Sequence, residues 1–138
     1  MIKTNHKLKI ENIELKIDNE EIIKDLSLSV SENEITSILG ATASGKSSLL
    51  RVIAGFEDIN SGQIILNQKL VNNAQNTVLP ESRNIGIIFQ DLALFPHLTI
   101  NQNIAFGISN VSSKKKIERC RELQYILGID DISDQVPH

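Results

Sequence analysis

Eight consecutive residues constrain this chain more than any other feature: Gly40-Ala41-Thr42-Ala43-Ser44-Gly45-Lys46-Ser47. They fit G-x-x-x-x-G-K-[S/T], the pattern of a glycine loop that wraps phosphate groups. A glycine turn ahead of an ordinary helix could match the same eight positions, so the flanks must decide. Glu34-Ile35-Thr36-Ser37-Ile38-Leu39 comes before and reads as a short strand with an apolar end. Ser48-Leu49-Leu50-Arg51-Val52-Ile53-Ala54-Gly55 comes after. Its spacing predicts a helix with Leu49, Leu50 and Ile53 on one face and Gly55 as the stop. Strand, loop and helix in that order are what the pattern requires.

The chemistry follows from the backbone. Gly40 and Gly45 are expected to take angles that a side chain would forbid. Successive N–H groups then point inward around a β-phosphate, backed by the positive end of the helix dipole. Lys46 brings a charge to the β- and γ-phosphates, and the Ser47 hydroxyl is placed to ligate Mg²⁺. Ser48 could reach the α-phosphate. Gly40, Ala41, Thr42, Ala43, Ser44, Gly45, Lys46, Ser47 and Ser48 are therefore the candidate nucleotide-binding residues.

The 138 residues suffice for one small domain with a modest core. A net charge of -3, with four Phe, one Tyr and no Trp, gives neither the electrostatics nor the stacking surfaces of a nucleic-acid binder. The single Cys120 excludes an internal disulfide and suits a reducing compartment. The polar start, Met1 to Lys7, has no apolar core and does not read as a signal peptide. No apolar run approaches the ~18 residues of a membrane span.

Residues 8–30 alternate apolar and polar in short runs, with turns at Asp18–Glu21 and Ser31–Glu34, so a small antiparallel sheet should precede the loop. Gln63–Leu66 reads as a further strand. The span from Asn67 to Arg83 is polar and irregular apart from Leu70-Val71 and Val78-Leu79, and Pro80 marks a loop. Ile85-Gly86-Ile87-Ile88-Phe89, apolar and ending at Gln90, reads as a buried strand. Thr99-Ile100-Asn101-Gln102 fits a capping box that opens a short helix to about Gly107. A longer helix follows Ser112-Ser113, with Ile117, Cys120, Leu123 or Gln124, and Leu127 on one face and Gly128 as the stop. Lys114-Lys115-Lys116 reads as a solvated helix face. His97 has no partner at ligand spacing, so no metal site is read there.

Three stretches together resemble the ATP-binding subunit of ABC transporters. They are Gly40 to Ser47; Leu49 to Glu57 with Ser61-Gly62; and Arg83-Asn84-Ile85-Gly86-Ile87-Ile88-Phe89-Gln90 followed by Leu94-Phe95-Pro96-His97-Leu98-Thr99 and Asn103-Ile104-Ala105-Phe106-Gly107. The third, with Leu79-Pro80, is similar to the importer subgroup serving ferric iron, polyamines and sulfate. Ala54-Gly55-Phe56-Glu57 leans toward the ferric-iron branch. The resemblance implies ATP and Mg²⁺ as cofactors. It implies permease subunits, a solute-binding protein and a second copy of the complete subunit as partners. It also implies a cytoplasmic location on the inner face of the membrane. Gln90 matches the family glutamine that senses Mg²⁺ and the γ-phosphate, and its amide can offer a carbonyl to the metal or to the attacking water. Phe95-Pro96-His97-Leu98 would meet the permease; the alternative is a loop tucked onto its own core.

Two departures shape the expectations. The family carries an aromatic residue near the position of Ile17, yet none occurs here before Phe56. Discrimination between ATP and GTP is therefore expected to be weak. The sequence also ends at Val136-Pro137-His138, ahead of the family's signature, Walker B aspartate and catalytic glutamate. The expected fold is an α/β P-loop NTPase (RecA-like) core, incomplete. A β-subdomain and P-loop core would occupy 1–90, and the Q-loop with the start of a helical subdomain 91–138. Hydrolysis by this stretch alone is not expected. The alternatives are a non-hydrolysing stub that binds nucleotide or permease, or another P-loop enzyme. A kinase would need an arginine-rich lid and a GTPase Asn-Lys-x-Asp, and neither is found.

Overall fold

A computed structural model describes residues 6–90 and 93–137; the remaining positions, among them Met1–Asn5 and His138, lie outside that description. The contacts gather into two units, Met1–Ile87 and Ile88–His138.

The first unit is built on five antiparallel strands: β1 (His6–Ile17), β2 (Glu20–Ser31), β3 (Ser61–Leu66), β4 (Lys69–Asn73) and β5 (Asn76–Thr77). Their order is β2-β1-β3-β4-β5. The turns explain the hairpins. Asp18 and Asn19 (φ 49° and 66°) join β1 to β2, and Asn67 and Gln68 (φ 48° and 64°) join β3 to β4. Two successive left-handed residues make the tight turn whose twist matches the strands it joins. Between β4 and β5, the Asn73 side-chain oxygen accepts from the Gln75 and Asn76 amides at 3.0 and 2.7 Å.

The short apolar runs expected in residues 8–30 are in fact two long strands, and β1 is interrupted by a bulge. Asn12 takes φ 46°, and the register to β2 shifts between Ile10 and Ile13. Its amide donates to Ser27 Oγ at 2.8 Å and its side-chain amide to Asp25 Oδ1 at 2.8 Å. The extra residue resets the alternation, so Ile10, Ile13 and Leu15 are all buried. They form one core with Ile23, Ile64, Val71, Ile59, and Leu49 and Val52 of the helix α1 (Lys46–Ala54).

Four expectations need correction here. The span from Asn67 to Arg83 is not irregular throughout: it holds β4 and β5, whose polar residues pair as an antiparallel hairpin. Glu34–Leu39 is not a strand: residues 34–40 carry no regular structure, and Ile35 and Leu39 are 97% and 91% exposed. Ile85–Phe89 is likewise neither a strand nor buried throughout, with Ile88 90% exposed. Their apolar character is real, but no described strand pairs with either, and a strand without a ladder partner does not persist. On α1 the inward face is Leu49, Val52 and Ile53, while Leu50 is half-exposed.

In the second unit the expected helices are present. α2 (Ile100–Phe106) has Thr99 as N-cap in a complete capping box with Gln102. α3 (Ser113–Leu127) is capped by Ser112 and closed by Gly128. Its buried side chains are Cys120 and Gln124, whereas Ile117 and Leu127 are more than half exposed. Gln124 donates to Asn101 Oδ1 at 3.0 Å, which ties α3 to α2. Among the described residues no helix is long and apolar enough to cross a membrane.

Candidate functional site

The loop from Gly40 to Gly45 leads directly into α1. Gly45 is its N-cap, at φ 82°. A side chain there would be strained, and an added Cβ would lie 2.9 Å from the carbonyl oxygen of Ile22 on β2. Gly40 differs from expectation: its backbone is not left-handed, and a Cβ would crowd just the Ser44 hydroxyl, at 2.7 Å, with Lys46 Cδ at an ordinary 3.9 Å. Ala43 takes the left-handed angle instead, with φ 63°. Sequence reasoning assigned the conformational strain to the glycines and missed this alanine.

The first turn of α1 contains no acidic residue, and no side chain caps it. The opening N–H groups of a helix have no intrahelical acceptor and carry the positive end of its dipole. They can therefore receive an anion without displacing a cap. Lys46 lies beside them. Its ammonium donates to the carbonyls of Ala41 (2.5 Å) and Gly40 (2.9 Å) and approaches Ser44 Oγ at 3.4 Å. The lysine thus lies across its own loop and holds the loop in a closed turn, together with Ser44 N–H to Ala41 O at 3.3 Å.

Ala43, Ser44, Gly45, Lys46, Ser47 and Ser48 line one cavity of about 290 Å³, completed by Glu20 and Ile22. Its donors are amides, an ammonium and three serine hydroxyls, a set that suits phosphate oxygens, and a hydroxyl suits Mg²⁺. Glu20 and Ile22 were not singled out from the sequence. They lie more than twenty residues upstream and reach the loop only because β2 packs beside it, which no local pattern signals. Glu20 is the one carboxylate on this cavity, and it opposes an anion.

Gln90 lies in the second unit, exposed and in a turn rather than at the end of a strand. Beyond it, Asn103 organises the segment that leads to α2. Its side-chain oxygen accepts from the Phe95 amide at 2.9 Å, and its amide donates to the carbonyls of Phe95, Leu98 and Thr99, each at 3.1 Å. The Phe95 ring packs on Phe106 with centroids 4.6 Å apart, and His97 meets it edge-on at 6.0 Å. Leu94 and Phe106 remain 50% and 66% exposed. The loop is both tied to its own helix and apolar on its outer side. Among the described residues no cluster of His, Cys, Asp or Glu could hold a metal ion.

The sequence model of the ABC transporter family matches residues 23–138. A "Fe(3+) ions import ATP-binding protein FbpC" of Fusobacterium nucleatum is 40% identical over 133 residues, covering 94% of this chain and 34% of the relative. The protein of the same name from Haemophilus influenzae is 35% identical, covering 97% and 39%. A "Spermidine/putrescine import ATP-binding protein PotA" of Thermotoga maritima is 38% identical, covering 93% and 34%. The chain spans about a third of the length of these relatives. Among solved structures, cbiO1 of Clostridium perfringens superposes with a TM-score of 0.78 at 24% identity, over 96% of this chain and 54% of that one. A dimeric ATP-binding cassette bound to ADP and Pi gives 0.78 at 25%, over 94% and 61%. These likenesses show that the chain has the fold of an ABC ATPase domain.

Proposed function

The chain belongs to the ABC transporter family, and on that premise we propose that it is the nucleotide-binding part of an importer's ATP-binding subunit. The observation that carries this reading is the cavity shared by Ala43–Ser48, with the uncapped N-terminus of α1 at its wall and Lys46 beside it. Gly40–Ser48 would hold the triphosphate of ATP, with Ser47 and Gln90 as the Mg²⁺ ligands. When bound, the metal would neutralise charge on the phosphates. The residues of this chain would bind and orient: the loop amides would surround phosphate, Lys46 would exchange its contacts with Gly40 and Ala41 for phosphate oxygens, and in the complete subunit Gln90 would orient the attacking water.

The reading extends to the complete subunit. Residues 1–90 would form the β-subdomain and phosphate-loop core, and 91–138 the Q-loop and the opening of a helical subdomain. Permease subunits would dock on the Phe95–Leu98 segment, whose outer apolar side supports the role. A solute-binding protein would deliver the cargo, the subunit would pair with a second copy, and it would sit on the cytoplasmic face of the membrane. Ferric iron is the favoured cargo, because relatives at 40% and 35% identity carry that name.

The experiment is equilibrium binding of a fluorescent ATP analogue with and without Mg²⁺, to the chain and to Ser47→Ala. The reading expects Mg²⁺ to tighten binding in the parent and to have little effect in Ser47→Ala. Equal Mg²⁺ dependence in both would remove Ser47 from the metal site.

A further inference from the structure

Arg83 is 2% exposed, which is unusual for a guanidinium, and two of its three hydrogen bonds go to one end of one helix. Nη1 donates to the carbonyls of Val52 and Ile53, both at 2.8 Å, and Nε donates to the carbonyl of Val78 at 2.8 Å. Val52 and Ile53 are in the last turn of α1, where carbonyls lose their regular intrahelical partners; the Val52 carbonyl also accepts from the Gly55 amide that closes the helix, at 3.2 Å. A cation there also complements the negative end of the helix dipole. Gly55 makes room for the fork: at φ 92° it closes the helix, and a Cβ on it would lie 2.6 Å from Arg83 Nε. Burial pulls the Arg83 pKa below its ordinary value, and the charge of Asp58 opposes that shift.

We propose that Arg83 is a positioning residue for the phosphate loop, clamping the C-terminal carbonyls of α1 to the chain at Val78 and so fixing the helix whose first residues are Lys46 and Ser47. The proposal rests on the phosphate-loop reading above. Its physical basis is directional. The core face of α1, Leu49 and Val52, holds the helix against the sheet by apolar contact, which resists lifting but has little preference for position along the axis. Hydrogen bonds at fixed length and angle supply that preference. Nine residues of helix span roughly 13 Å and move as a rod, so a shift at Ile53 is delivered to Lys46. A lysine at 83 would keep the charge but lose the fork that engages three carbonyls at once.

The test compares the full parent chain with Arg83→Lys, Gly55→Ala, Val71→Ala and Lys46→Ala. MgATP affinity, thermal unfolding and amide exchange are measured for each. Gly55→Ala displaces the guanidinium while keeping its charge, and serves if Arg83→Lys does not fold. Val71→Ala weakens the same core from β4 while leaving α1, Gly55 and Arg83 unchanged, and its backbone bond to the Val78 amide does not involve the side chain. The expected result is a roughly ten- to hundredfold loss of MgATP affinity in Arg83→Lys or Gly55→Ala, as for a misplaced binding group. Exchange should quicken at Gly45–Leu49 but not at Leu8–Leu15. Val71→Ala should unfold at a lower temperature with its affinity unchanged. Affinity in both clamp variants equal to the parent, or reduced no more than in Val71→Ala, overturns the proposal. A parent that binds no MgATP, or whose binding survives Lys46→Ala, overturns the phosphate-loop reading and the proposal with it. Binding lost in Lys46→Ala but intact in the clamp variants overturns the clamp alone.

Discussion

Gly45 lies against the carbonyl oxygen of Ile22, so close that a Cβ would sit 2.9 Å from it. The contact joins the phosphate loop to β2 and sets where the cavity opens. Gly45→Ala should therefore cost at least ~1–2 kcal/mol for the left-handed backbone alone. It should lower the melting temperature by roughly 4 °C or more. Gly86→Ala is the control: nothing lies within 4 Å of a Cβ there. Its effect should stay within ~0.5 kcal/mol. Equal melting temperatures for the two variants would remove the constraint assigned to Gly45.

Glu20 borders the cavity and repels what the other lining residues attract. Glu20→Gln should raise ATP affinity by about 1 kcal/mol, or fivefold, at low salt. The gain should shrink in 0.5 M salt, where exposed charges are screened. Calorimetric titration at two ionic strengths reads both. A salt-independent gain would point to packing rather than charge.

How much of this was legible in the sequence depended on whether the signal was local. The loop, the capping box at Thr99 and Gln102, and the glycine stops at Gly55 and Gly128 are written within a few consecutive residues, and each is found where its pattern lies. The bulge at Asn12 was hidden because it resets the alternation that strands are read by. The strands expected at Glu34–Leu39 and Ile85–Phe89 failed for the opposite reason. Their residues favour a buried strand, but a strand is a relation between two segments, and no described segment pairs with them. Glu20 and Ile22 at the site, and Arg83 at the end of α1, depend on tertiary contacts over many residues and left no local trace.

Base selectivity should be weak. Ile17, at the end of β1 opposite Glu20, is near the position expected for the family's aromatic ring, and it offers only aliphatic contact. Stacking on a ring is worth ~1–3 kcal/mol. Without it, ATP should be preferred over GTP by less than about a hundredfold, or ~2.7 kcal/mol. Competition between the two nucleotides measures this, and a larger preference would mean that another residue reads adenine.

The pH dependence has a defined sign. The Ser31 amide donates to Glu34 at 2.8 Å and, with the Thr36 hydroxyl, holds its carboxyl below the ordinary value for a glutamate, about 4.5. A depressed folded pKa contributes stability that is present above about 4.5 and is lost as pH falls through the folded value. Urea midpoints at pH 7, 5 and 3 should show a loss on the acid side that is shallower in Glu34→Gln. Parallel curves would show that the contact is not linked to folding.

If the Gly40–Ser48 loop holds the phosphates of a nucleotide, the loss of Lys46 must weaken binding, and calorimetric titration of MgATP into the chain and into Lys46→Ala measures that loss. A charged hydrogen bond to phosphate is worth about 1.5–3 kcal/mol, so the variant should bind roughly ten- to 150-fold more weakly, or not measurably. Unchanged MgATP affinity in Lys46→Ala would contradict the account.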